Sequence, residues 1–286
     1  MYMNYRDAIA SPVKIIKALV IVRCVTLKTA VEQTLRATVE QFVRLLLIVF
    51  ICTWTYQPVM AESEKSVYRV GVEDVDYFPL FTRADKLEDQ GYIIELMQIF
   101  AEQANLEFEF VRLPIARFPD WYKNNDIDLR VPDNPLWTNN ELRLSFSQGI
   151  LNLDTVTLTL PKNRSKNLSD FKSIGTIQGF TPSPYWQIQL QNQSIKFVYE
   201  GSMKILIQLL NNGIVDGLDV NPTVARHYAT LLGYPSDSLV VAEHSPTEHL
   251  QYHLSTIEHP KVIEKFNQFL VENSATVEAL KIRYQL

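Results

Sequence analysis

From Tyr68 to Tyr284 the chain switches repeatedly between two hydrophobic periods, and that alternation leaves few folds open to it. Leu106, Phe108 and Phe110 alternate with Glu107 and Glu109, the period of a strand with one wet face. Just upstream, Ile93, Leu96, Met97, Phe100 and Ala104 recur at helical spacing between Gly91 and Ala104, with Glu95, Gln98 and Glu102 opposite. Tyr68–Glu73 reads as a buried strand, and Ile127–Val131 as a short one stopped by Pro132 and Pro135. The second half repeats the pattern, with strands at Thr155–Leu160, Ile174–Ile177 and Ile195–Tyr199. Ser202 then caps a helix that stops at Gly213, Ile214–Val220 is a strand, and Asn221-Pro222 opens the next helix. Helices at His259–Glu272 and Ser274–Tyr284 follow, with Pro260 at a favoured first-turn position. Such a sequence specifies parallel α/β sheets, in which ligands sit beyond the carboxyl ends of the strands. That rule singles out the loops after Glu73, Val131, Ile177 and Val220.

The N-terminal segment is different material. Residues 1–61 carry seven Lys/Arg and three Asp/Glu, so the net charge of −5 becomes −9 over residues 62–286. A body that acidic offers no basic stripe to a phosphate backbone, which argues against nucleic acid as a partner. Both cysteines, Cys24 and Cys52, lie in the first segment, so the body contains no disulfide, thiolate metal site or cysteine nucleophile. Residues 45–54 form a mostly apolar run directly after Arg44, Pro58 breaks any helix, and Val59 and Ala61 stand where a signal peptidase needs them. This is a secretory signal with cleavage after Ala61, hence a periplasmic protein. The run is short for a span of ~30 Å of hydrocarbon, although an uncleaved anchor is the alternative. Residues 1–43 precede any export signal, which leaves open a translation start nearer Val39 or Val43.

The fragments YRVGVE, GYIIELMQIFAEQANLEFEFVRLPIARF, NDIDLRV, LSFSQGI, IGTIQGFT and LLNNGIVDGLDVN, in this order, resemble the polar amino-acid-type periplasmic solute-binding proteins of ABC transporters. These are the bacterial extracellular solute-binding family 3, and the similarity runs over nearly all of residues 67–286. The resemblance implies an α/β, two-lobed periplasmic-binding-protein-like fold of type II, joined by two hinge strands. Lobe 1 would hold residues 66–156 plus 246–286 and lobe 2 residues 157–245, with residues 1–61 as extension and signal. It further implies a monomer without cofactor, closing on a small polar or anionic metabolite and delivering it to an ABC permease. Membrane contact would come only through the signal segment or the transporter. Two features of the family pattern are absent. The arginine that grips a ligand carboxylate falls at Asn140, and the aspartate that grips a ligand ammonium falls at Asn221. Standard amino acids are therefore expected to bind poorly unless Arg117 and Asp133 replace the lost charges.

Each candidate residue has a functional and a structural reading. Thr181 survives from a Gly-Thr-Thr-like element as Gly179-Phe180-Thr181, near a helix N-terminus where free N–H groups favour an anion. It is otherwise a simple cap. Arg117, in Leu-Pro-Ile-Ala-Arg, offers a planar fork to a carboxylate or is a solvated surface residue. Arg130 faces a ligand or pairs with Asp128, which shares its side of the strand. Asp133, Asn134 and Trp137 form either a proline-pinned turn with an aromatic anchor or the ligand wall of the first lobe. Glu73 and Tyr77 follow the first strand and reach for the cleft, whereas Asp74 shapes the turn. Asn221 is an N-cap or a ligand contact, and Asp219 shares its face.

His244, His249, His253 and His259 fall close together, but His249-Leu-Gln-Tyr-His253 lacks the glutamate of the zinc-protease helix and no third ligand is identifiable. No metal site is expected. Neither a Gly-rich phosphate loop nor a Gly-x-Ser-x-Gly element occurs. A transport binder is the leading function and no catalysis is expected. A periplasmic ligand sensor is the alternative, followed by an enzyme, because cyclohexadienyl dehydratases resemble this fold.

Overall fold

The computed structural model describes residues 35–36, 38–46, 65–84, 90–123, 127–137, 142–235 and 237–286. Two units are distinguished, residues 1–63 and 64–286. In the first, the described residues 35–36 and 38–46 are helical and exposed. Most of the expected signal, including residues 47–61, lies outside the described residues.

The second unit begins with β1 (Ser66–Glu73), α1 (Tyr92–Gln103), β2 (Leu106–Leu113) and β3 (Leu129–Asp133). β1 pairs in parallel with β2 and with β3, so that Val70 stands between Phe110 and Leu129. The helical stripe of α1 (Ile93, Leu96, Met97 and Phe100) is buried, which covers one face of this sheet. β3 differs from expectation, because Pro132 lies inside the strand instead of ending it. The reason is a register shift. Ser255 stands opposite Arg130 and His253 opposite Asp133, so Val131 and Pro132 together face Leu254 alone, and the missing proline N–H falls in the interruption.

The second sheet holds β6 (Ser173–Ile177), β7 (Lys196–Glu200) and β8 (Gly217–Val220), parallel in the order β8-β6-β7. Between the sheets run two long antiparallel strands, β5 (Leu151–Thr159) and β10 (Glu248–Thr256). β10 pairs through its end with β3 and with β4 (Ser145–Phe146), and through its start with β5. β5 in turn pairs through its end with β8 and with β9 (Val240–Val241). Two strands thus carry the ladder from one parallel sheet to the other.

Helices α2 (Pro184–Gln191), α3 (Met203–Asn211) and α4 (Pro222–Leu231) flank the second sheet, and α5 (Pro260–Glu272) and α6 (Ser274–Arg283) close the chain. Met203, Leu206, Ile207 and Leu210 bury the face that α3 turns to β6, β8 and α4. Ser202 is extended before α3 but makes no side-chain cap bond, whereas the Asn221 carboxamide accepts the Val224 N–H at 3.1 Å, as its position before Pro222 suggests. Trp186 anchors α2. It is 1% exposed, packs with Phe171 and Ile174, and donates from Nε1 to Thr157 Oγ1 at 2.8 Å. Truncating such a side chain costs about 3–5 kcal/mol, enough to fix where the loop ahead of α2 lies.

Candidate functional site

The loops singled out by the strand rule converge. Glu73 and Tyr77 after β1, Leu136 and Trp137 after β3, residues 179–182 after β6, and Asp219 and Asn221 at the end of β8 line one cavity of about 530 Å³. The turn Ile115–Asp120 after β2 adds Phe118, and the crossing strands add Thr155, Glu248, Leu250 and Tyr252. That volume suits a small metabolite.

Six of the ten residues singled out from sequence line the cavity: Glu73, Tyr77, Trp137, Thr181, Asp219 and Asn221. Arg117, Arg130, Asp133 and Asn134 do not. Ile115, Ala116, Phe118 and Pro119 all face it, while Arg117 between them is exposed. Arg130 is fully buried, and its partner is Asp133, not Asp128. Nε and Nη2 donate to Asp133 Oδ2 at 2.9 and 2.6 Å, Nη1 donates to the Phe118 carbonyl at 2.9 Å, and the guanidinium lies 3.9 Å from the Phe118 ring centre. Asp133 also accepts from Ser255 Oγ at 2.5 Å and from the Asn134 N–H at 2.7 Å. Asn134 Nδ2 donates to the Gln251 carbonyl at 2.8 Å. This network holds Phe118 in the cavity wall from behind. Asp128 instead takes the Arg69 N–H at 2.7 Å and faces His259 at 3.3 Å. Asn140 lies outside the described residues.

Two of the lining carboxyls are poorly satisfied. Glu73 is 3% exposed, and its Oε2 has no hydrogen-bond partner. Burial, reinforced by the nearby Asp133 charge, pushes its carboxyl up to about 8. Asp219 is also 3% exposed; Oδ2 accepts the Ser183 N–H at 2.7 Å, whereas Oδ1 has no partner. Burial raises Asp219 to about 6 against the backbone and side-chain hydrogen bonds of Ser183. Glu248 is half-buried and is raised as well, by desolvation and by Asp219. Among the described residues, no Lys, Arg or His lines the cavity.

Aromatic rings form much of the remaining wall. Trp137 meets Phe118 edge-on at 5.7 Å and Tyr252 at 5.5 Å, and Tyr77 meets Phe180 at 5.2 Å. The last contact joins the two sheets, as does the Asn221 N–H, which donates to the Tyr77 hydroxyl at 3.3 Å. Gly179 marks the tightest approach. Its φ is +93°, and a Cβ there would sit 2.8 Å from the Ile115 Cβ. The Asn221 side chain is engaged at both ends, since Oδ1 caps α4 and Nδ2 donates to the Asp154 carbonyl at 2.9 Å.

The helix N-terminus beyond Thr181 differs from the anion site its sequence suggests. Pro182 and Pro184 bring no N–H, and the Ser183 N–H is already bonded to Asp219. A protein carboxylate occupies the place an incoming anion would take. The histidines have separate partners: His249 meets Asp154 at 2.7 Å, and His253 Nδ1 meets the Ser147 carbonyl at 2.8 Å.

Glu248, Thr155, Thr176, Phe118, Phe180, Gln187 and Tyr252 line the cavity without having been singled out. One signal existed. Glu248, Leu250 and Tyr252 alternate at strand period, so a hinge strand with one face on the cleft brings all three to it.

No protein-family model matches the chain. It is 23% identical over 172 residues to a probable histidine-binding protein of Neisseria gonorrhoeae, a match covering 59% of this chain and 63% of that protein, less than two thirds of its length. Its fold superposes on an ancestral arginine-binding protein bound to arginine with a TM-score of 0.63 at 18% identity, covering 77% of this chain and 98% of that one. It also superposes on an ancestral amino acid-binding protein described as a precursor of cyclohexadienyl dehydratase, with a TM-score of 0.61 at 18% identity, covering 77% and 95%. The chain therefore has the two-lobed α/β fold of the periplasmic binding proteins, with β5 and β10 in the place of the two hinge strands.

Proposed function

We propose that this chain is an exported solute-binding protein that holds a small polar solute between its lobes and hands it to the permease of an ABC transporter. The observation that carries this reading is the cavity itself. It is walled by strand ends of both parallel sheets and floored by both crossing strands, so rotation about those strands opens and closes it. The names of the histidine- and arginine-binding relatives fit the same activity. We take residues 66–156 with 246–286 as one lobe and 157–245 as the other, and the basic–apolar–small pattern ending at Ala61 as the export signal. The protein acts as a monomer in the periplasm.

A second reading rests on Glu73. A carboxyl held near pH 8 in a cavity is also what a general acid for a dehydration needs. One experiment addresses both. Small polar solutes are screened by thermal shift, and the best is then added at saturation during small-angle scattering and recovered by mass spectrometry. The proposal expects a smaller radius of gyration and chemically unchanged solute. An unchanged scattering profile with solute bound contradicts closure, and recovery of a dehydrated product replaces the binder with an enzyme.

A further inference from the structure

We infer that the cavity is built for a small organic cation, an amine or guanidine that carries no free carboxylate. The inference rests on the solute-binding reading above and names the chemical class of its ligand.

Three carboxyls, Glu73, Asp219 and Glu248, line the cavity, and among the described lining residues no side chain of opposite charge answers them. Two are withdrawn from water almost completely, and each leaves one oxygen, Glu73 Oε2 and Asp219 Oδ1, without a partner. A buried carboxyl without a counter-charge keeps its proton rather than its charge, and a cation entering the cavity supplies the counter-charge that lets it ionise. An ammonium or guanidinium is such a cation, and it carries only donors. The rings of Trp137, Phe118 and Tyr252, set edge to face beside these carboxyls, offer the quadrupolar surface that organic cations favour.

Among the described residues, a ligand carboxylate finds no such provision. Arg130 is held by Asp133 behind Phe118, and Arg117 is exposed on a turn whose neighbours face the cavity. Ahead of α2, Pro182 and Pro184 bring no N–H, and the N–H of Ser183 between them serves Asp219. Any anion entering there would meet the Asp219 and Glu248 carboxyls directly. The anionic metabolite considered from sequence does not suit this lining, and neither does a free α-amino acid, whose carboxylate would be buried against like charge.

The test uses pairs of compounds that differ in the carboxylate. Agmatine is arginine without it, so calorimetric titration of agmatine, putrescine, arginine, glutamate and glucose into the full chain separates the charge classes. Agmatine or putrescine is expected to bind at least tenfold more tightly than arginine, with no binding of glutamate. Glu73→Gln and Asp219→Asn should each weaken the bound cation at least tenfold, and circular dichroism should show that both variants fold. Arginine binding as tightly as agmatine, or cation binding unchanged in both variants, overturns the inference. If glutamate or glucose binds and the cations do not, the inference falls while the solute-binding reading stands. Silence across all five compounds counts against both.

Discussion

Glu73 ends β1 and Asp133 ends the neighbouring strand β3, and both carboxyls are almost wholly withdrawn from solvent, yet their surroundings are opposite. Asp133 receives two guanidinium bonds, a hydroxyl and a backbone N–H. Glu73 lies on the cavity with Oε2 unpartnered, and Asp219 across from it in the second sheet has a single backbone donor. The difference separates two uses of buried charge. Where the chain supplies the counter-charge, the carboxyl is part of the scaffold; where the described residues supply none, the counter-charge is left to the ligand.

Breaking the scaffold pair gives the largest effect. Arg130→Met leaves Asp133 buried without its counter-ion and should lower the unfolding free energy by about 3–5 kcal/mol in urea denaturation. A loss no larger than that of a surface substitution would show that the pair does not anchor this wall. A smaller effect sharpens the comparison from the cavity side. In Gly179→Ala the added methyl must occupy a left-handed backbone position and meets Ile115 where the loops after β2 and β6 approach each other. Solute affinity should fall about tenfold, corresponding to about 1.4 kcal/mol, and the ligand-induced drop in the radius of gyration should shrink. Full closure with unchanged affinity would mean that this contact does not limit the closed state.

The sequence made the fold largely legible, because strand and helix periods are local and the strand-end rule needs only their order. The rule also brought Glu73, Tyr77, Trp137, Thr181, Asp219 and Asn221 to one cavity. It was less informative about direction. Arg130 and Asp133 are three apart, which puts them on opposite faces of a regular strand, so Asp128 was the natural partner. The shifted register at Pro132 changes the phase and lets the pair form. Arg117 was legible as a loop arginine near the site, but which residue of a tight turn faces outward depends on packing that periodicity does not report. The importance of Glu248 became visible only once one face of β10 was known to meet the cleft.

The most direct test of this account compares the stability of the wild type and Glu73→Gln in urea from pH 4.5 to 8.5, without ligand. The folded Glu73 carboxyl lies at about 8 against an ordinary 4.5, and the groups that set it are burial and Asp133, with the Tyr77 and Tyr252 hydroxyls alongside. A raised carboxyl favours the protonated folded state. Its contribution is fully present below pH 4.5 and is lost as pH rises through about 8. Wild type should therefore lose stability relative to Glu73→Gln across that window, by a few kcal/mol in all, and the two proteins should behave alike at its acid end. Parallel pH profiles would contradict the account, because they would mean that Glu73 already has a counter-charge within the protein.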